Sequence, residues 1–210
     1  RVVTLKINHG KSEVFNGHGT QCCVDFLRGG TGDGFVEENV EFARKQIKNI
    51  KWNHDVGFMI YCSFGNGLRL TGDPEYKEVI VEAARSLSTR FRPVAGIIQS
   101  WDVDRGWISE RGWECPVIID NMMNLELLFA ATRLSGDSTF YKVAVSHVDR
   151  TMKEQYRPDG SCYHVVDYSM KDGSVRNRHT TQGYAHESAW SRRQAWGIYG
   201  LMLCYRETSC

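Results

Sequence analysis

The 210-residue sequence lacks a long apolar run, an excess of charge of either sign, and any CxxC pair. No stretch approaches the roughly 18 consecutive apolar residues of a membrane-spanning helix, so no membrane partner is expected. A formal net charge of +1 gives no electrostatic footprint for nucleic acid. The seven cysteines (Cys22, Cys23, Cys62, Cys115, Cys162, Cys204 and Cys210) show neither zinc-ligand spacing nor a regular disulfide framework. Most are therefore expected to be buried as small hydrophobes. The opening RVVTLKINHGK has early basic residues but no apolar stretch behind them, unlike a signal peptide. An initiator Met is missing and the chain stops at Cys210 inside a helical pattern, so both ends read as cut.

What the sequence has is aromatic side chains and helix-end signals. Six Trp, nine Tyr and nine Phe stand among carboxylates, Arg and His. That mixture suits a sugar site, where the apolar face of a pyranose lies on a ring and its hydroxyls take polar partners; a merely aromatic core is the other reading. Three Gly-Asp signals recur: Thr31-Gly32-Asp33, Thr71-Gly72-Asp73-Pro74 and Ser135-Gly136-Asp137. In each, Gly can close one helix in the left-handed conformation and Asp can cap the next. They predict helices over 35–50, 58–70, 76–91, 122–134 and 140–156. The stripes Val79, Ile80, Ala83, Ala84, Leu87 and Leu125, Leu128, Phe129, Thr132 follow the helical period. Short connections imply antiparallel neighbours. The Trp- and Gly-rich stretch 96–112 has no helical period and favours a toroid, with its insertions gathered on one face, over a regular solenoid. SCYHVVDY followed by MKDG predicts a short β-hairpin near 162–175. About seven helices are expected, fewer than the twelve or so of a closed six-hairpin ring.

Four segments concentrate unusual residues. Asn53-His54-Asp55-Val56-Gly57-Phe58 places a carboxylate where a helix begins, as a cap or facing a cavity. GIIQSW ends in Trp101, which also suits a core position. In Val117-Ile118-Ile119-Asp120-Asn121, a carboxylate follows three β-branched residues and opens a helix. It is either a cap or a general acid whose pKa an apolar setting raises. Thr181-Gln182-Gly183-Tyr184 and SAWSRRQAWGIYG bring Gln182, Trp190, Arg192 and Trp196 together, with Arg192 and Trp196 four apart on one face. Gly197 and Gly200 would let that helix pack closely. His164, on the preceding strand, is either structural or turned to the same place.

HDVGF, GIIQSW, IIDNMMNLELL, YHVVDY, TQGY and SAWSRRQAWGIYG, in this order, resemble the unsaturated glucuronyl hydrolases of glycoside hydrolase family 88. The match spans about three quarters of the chain. The resemblance implies an all-α fold, an (α/α)6 barrel. Residues 1–210 would be one catalytic domain truncated at its C-terminal end, with 1–30 a poorly matching segment. It implies a hydrolase that removes a 4,5-unsaturated uronic acid from lyase-generated glycosaminoglycan fragments by hydrating the vinyl ether. Carried over, Asp120 protonates C4 and activates the water that adds at C5, and Asp55 is the second catalytic aspartate. The matching substrate contacts are His54, Trp101, His164, Gln182, Trp190, Arg192 and Trp196. No metal or organic cofactor is implied, and the partner is an unsaturated uronate oligosaccharide. Such proteins occur in the bacterial cytoplasm and periplasm. The chain departs from the family in 17–30, at Thr181, and at Arg193 where Gly is usual; an Arg there is expected to crowd the site. Two other readings are the sister family 105, acting on pectin fragments, and a non-catalytic sugar-binding homologue.

Overall fold

The computed structural model describes residues 44–45, 47–48 and 54–209. The Thr31-Gly32-Asp33 signal, the 1–30 segment with its 17–30 departure, Asn53 and most of the 35–50 stretch lie outside the described residues. Within that stretch Arg44, Lys45, Ile47 and Lys48 are helical, and Ile47 is buried in the main core.

The remaining predicted helices form, with shifted ends. α1 (Val56–Ile60) runs through a π-helical turn at Tyr61–Gly65 into α2 (Asn66–Thr71). Gly72 closes α2 at φ 73°, a conformation open to a residue without a Cβ. Asp73 then caps α3 (Pro74–Ser88), accepting from the Glu75 N–H at 2.9 Å, with Pro74 in the first turn. The same grammar recurs where α5 (Leu125–Ser135) meets α6 (Ser138–Glu154). Gly136 sits at φ 76° and Asp137 accepts from the Thr139 N–H at 2.9 Å. α3 buries Val79, Ile80, Ala83, Ala84 and Leu87, the stripe read from its period. α5 is buried more widely, with Leu125, Leu127, Leu128, Phe129, Ala130 and Ala131 all inside, because α1, α3, α6 and a last helix, α7 (Ser191–Thr208), pack around it. Cys115, Cys162 and Cys204 are buried, and Cys62 is half-buried.

Strand content exceeds the expected hairpin. β1 (Phe91–Arg92) pairs antiparallel with β2 (Ile97–Ile98) in the stretch before Trp101. A short helix α4 (Gly106–Ser109) follows. β3 (Cys115–Ile118), β4 (Val165–Tyr168) and β5 (Val175–His179) form one antiparallel sheet in that order, Val117 opposite Val166 and Val165 opposite His179. The sequence pattern makes Val117 and Ile118 the approach to a helix. They are instead strand, as β-branched side chains favour, and Asp120 enters a 3-10 turn (Ile119–Asn124) before α5 begins. The sheet covers a second small core of Ile97, Cys115, Val117, Val166 and Tyr168. A third core, Ile108, Trp113, Ile118 and Val165, carries Trp101 at its edge. No described helix is long and apolar enough to cross a membrane.

Candidate active site

Asp55 precedes α1 with φ −77° and ψ 10°, and its side chain makes no cap hydrogen bond. It pairs instead with His54 Nε2 at 3.1 Å. The cap reading of this residue therefore does not hold. His54 is buried, and its ring meets Trp101 edge-on at 6.0 Å. Burial pushes the His54 pKa down; the Asp55 charge opposes that push, while Arg90 and Arg193 add to it. Arg90, also buried, donates to the Gln99 carbonyl at 2.7 Å and pairs with Asp102 at 3.1 Å. That fixes the loop carrying Trp101, whose own carbonyl accepts from Gln99 Nε2 at 2.8 Å.

Asp120 lies in the 3-10 turn rather than at a helix cap. Two fully buried asparagines hold this turn against α1 and β2. The Phe58 N–H donates to Asn124 Oδ1 at 2.9 Å, and Asn124 Nδ2 donates to Asn121 Oδ1 at 3.0 Å. Asn121 Nδ2 in turn donates to the Ile98 carbonyl at 2.7 Å and to Ser100 Oγ at 2.9 Å. A buried amide left unpaired costs about 1–3 kcal/mol, so this spine fixes one geometry between the two aspartate-bearing segments. Gly57 is part of the same fit. A Cβ there would lie 2.7 Å from the Asn124 carbonyl oxygen, so only Gly lets α1 approach so closely.

His164 is the residue before β4 and is buried. Its carbonyl accepts from the Ile119 N–H at 3.1 Å, which sets the ring beside the Asp120 turn. The Thr181 N–H donates to His164 Nδ1 at 3.1 Å. Nδ1 is therefore the acceptor, and the proton of the neutral ring sits on Nε2. Burial, helped by the Arg192 charge, pushes the His164 pKa down to about 4, so the ring is neutral across the physiological range.

α7 supplies the opposite wall. Its start is tied down by Gln194, which accepts from the Cys162 N–H and donates to the Gly160 carbonyl, both at 2.9 Å. Gly197 and Gly200 let α7 press onto the 3-10 turn, as their small size suggested. A Cβ on Gly200 would strike Met122, and one on Gly197 would strike the Tyr156 hydroxyl. Trp190 meets His164 edge-on at 6.0 Å. The Arg192 guanidinium lies 4.3 Å from the Trp190 ring and 5.5 Å from Trp196. Arg193, expected only to crowd the site, is buried inside it. Its guanidinium is 4.9 Å from both Trp190 and Trp196, forms an ion pair with Asp120, and donates to Gln182 Oε1. Burial pushes its pKa down to about 10, against the pull of Asp55.

Contacts join His54 to Trp101 and Asp55 in one group, and Asp120, Gln182, Trp190, Trp196, Arg192 and His164 around Arg193 in another, and the charge of Asp55 acts on Arg193 between them. Several of their buried polar atoms have no hydrogen-bond partner among the described residues: Asp120 Oδ1, His164 Nε2, Arg192 Nε and Arg193 Nε. Such atoms are costly unless a polar ligand meets them. Three features of the site lie outside what the sequence pattern indicates. Arg193 was the largest, and its one signal was the doubled Arg between two indoles. The Asn121–Asn124 spine was signalled by two Asn three apart in an apolar run. The third was an indole cluster: Trp113 stacks on Trp101 at 6.2 Å, and Trp107 meets it edge-on at 5.4 Å. Among the described residues, no group of three His, Cys, Asp or Glu side chains could hold a metal ion.

No protein-family model matches the chain. It is 48% identical over 183 residues to an unsaturated glucuronyl hydrolase of Formosa agariphila, covering 85% of this chain and 44% of the relative. It is 36% identical over 157 residues to an unsaturated chondroitin disaccharide hydrolase of Streptococcus agalactiae, covering 74% of this chain and 38% of the relative. Among solved structures, an unsaturated glucuronyl hydrolase specific for heparin superposes with a TM-score of 0.76 at 38% identity, covering 91% of this chain and 50% of that one. The unsaturated glucuronyl hydrolase of Bacillus sp. GL1 gives 0.76 at 30% identity, covering 91% and 51%. The chain spans less than half the length of the curated relatives it matches.

Proposed function

Because the chain belongs to the unsaturated glucuronyl hydrolase family, with half of an (α/α)6 toroid in its described helices, we propose that the protein releases a 4,5-unsaturated uronic acid from glycosaminoglycan-type oligosaccharides. Asp120 protonates C4 of the vinyl ether and then takes a proton from the water that adds at C5. The hemiketal so formed opens and the glycosidic bond is lost. Asp55, oriented by His54, shapes the field around the proton donor. His164 donates through Nε2 to a sugar oxygen. Arg192 meets the carboxylate with charge-assisted hydrogen bonds, while Trp190, Trp196 and Trp101 line the flattened ring.

One observation carries this reading: two aspartates, two guanidiniums and the indoles converge on buried polar atoms that no described residue satisfies. The test is loss of absorbance near 235 nm on incubation with an unsaturated uronyl disaccharide. Asp120→Asn keeps the shape but cannot carry the proton, so turnover should fall by about 10² to 10⁴ while binding persists. Near-normal kcat in that variant would sink the assignment. The ion pair on Asp120 gives weight to a second reading, a sugar-binding protein without turnover. Disaccharide binding with no absorbance loss, in wild type as in Asp120→Asn, would select it.

A further inference from the structure

We infer that Arg193 is a displaceable counter-ion, a positioning residue that keeps Asp120 ionised until an anionic ligand draws the guanidinium away. The inference rests on the reading that Asp120 carries the proton. A carboxylate in contact with a guanidinium favours its ionised form, which cannot donate. Asp120 can act as an acid only after that partner has moved.

The surroundings make such a move short. Arg193 is held by Asp120, Gln182 and the faces of Trp190 and Trp196, all non-covalent contacts. Its Nε has no hydrogen-bond partner among the described residues, and neither has Asp120 Oδ1. The resting pair is therefore half-satisfied on both sides, and a ligand oxygen would complete the guanidinium. The charged and titratable groups near the pair are Asp55 and His54 at the head of α1, with Arg90 acting on His54, and Arg192 and His164 on the other side. The Asp55 charge attracts Arg193 as well. Burial holds His54 and His164 towards their neutral forms, so neither replaces Arg193 as a counter-ion. With a pKa of about 10, Arg193 itself stays charged at neutral pH. The ligand-dependent change thus falls on Asp120.

The test follows the ¹³C carboxyl resonance of Asp120 against pH in the full 210-residue chain, identified by its loss in Asp120→Asn. Arg193→Gln should raise the proton affinity of Asp120 at least about tenfold, and Arg193→Lys, which keeps the charge, should stay near wild type. Adding an unsaturated uronyl disaccharide should move the wild-type titration towards that of Arg193→Gln. Asp120 titrating alike in wild type and folded Arg193→Gln would overturn the inference, as would a disaccharide that binds without moving the wild-type titration. Indole fluorescence that no disaccharide perturbs in any form would overturn the substrate reading instead. A persisting difference between the free forms would then still support the resting clamp.

Discussion

Asn124 shows how little of a site needs to touch a ligand to determine it. Its Oδ1 receives the Phe58 N–H and its Nδ2 reaches Asn121, so both ends of a fully buried amide are committed. Asn124→Ala removes both partners and strands a backbone N–H and an amide oxygen. A loss of about 1–3 kcal/mol for each is expected, read by urea denaturation with an unchanged slope. Asn124→Asp should be worse than its shape suggests, because one oxygen would face Asn121 Oδ1 without a proton between them. A change within about 0.5 kcal/mol for Asn124→Ala would mean that the spine is not what joins the aspartate-bearing segments.

At the scale of elements, the site is a matter of close approach. Gly57 and Gly200 let α1 and α7 reach the 3-10 turn, and a Cβ at either position meets atoms that cannot swing aside, backbone at Asn124 and the Cβ of Met122. Gly200→Ala is expected to cost about 1–3 kcal/mol as overpacking and to loosen Arg193 from Asp120. α7 offers an internal control. Leu203→Ala, on the buried face, should cost about 2–5 kcal/mol. Met202→Ala, 63% exposed, should stay within about 0.5 kcal/mol. Equal losses at the two positions would show the exposed face to be packed. These elements also mark what sequence could reveal. The Gly-Asp closures and the 3.6-residue stripes of α3 and α5 act within one turn, so they were legible at 72–73 and 136–137. β3 was not, because Val117 and Ile118 become strand only by pairing with Val166 and Val165, and nothing local announces that partner. Nor was the burial of Arg193, which depends on Asp120 arriving from another element. His54, Asp55 and Gln182 were recognisable through a family pattern, whereas their contacts were not.

For the molecule as a whole, buried histidines set the acid limit. Burial alone lowers the His147 pKa to about 3, and its Nδ1 accepts from the Ile98 N–H at 3.0 Å. His164 is lowered to about 4. Above the unperturbed value of 6.5 both rings are neutral folded or unfolded, and their full contribution to stability is present. As pH falls below 6.5 the unfolded chain takes protons that the folded chain refuses. Stability should then drop by about 1.4 kcal/mol per pH unit for each ring, until the folded values near 4 and 3 are passed. Melting temperature recorded between pH 7 and pH 4 should show this slope, and His147→Gln should remove one share of it. A melting temperature flat across that range would contradict the burial of both rings.

The hydrogen bond from Phe58 to Asn124 spans 66 residues, and Arg193 comes later still in the chain. A ribosome adding about 5–20 residues per second therefore releases α1, with Asp55 at its head, seconds before the 3-10 turn that carries Asp120, and longer before α7. During that interval the near neighbour of Asp55, His54, is already present. Trp101 follows, then Asp120, and Trp190, Arg192 and Arg193 arrive among the last. A nascent chain thus makes Asp120 before the cation that pairs with it, so that carboxylate is without the Arg193 guanidinium while α7 is still being made.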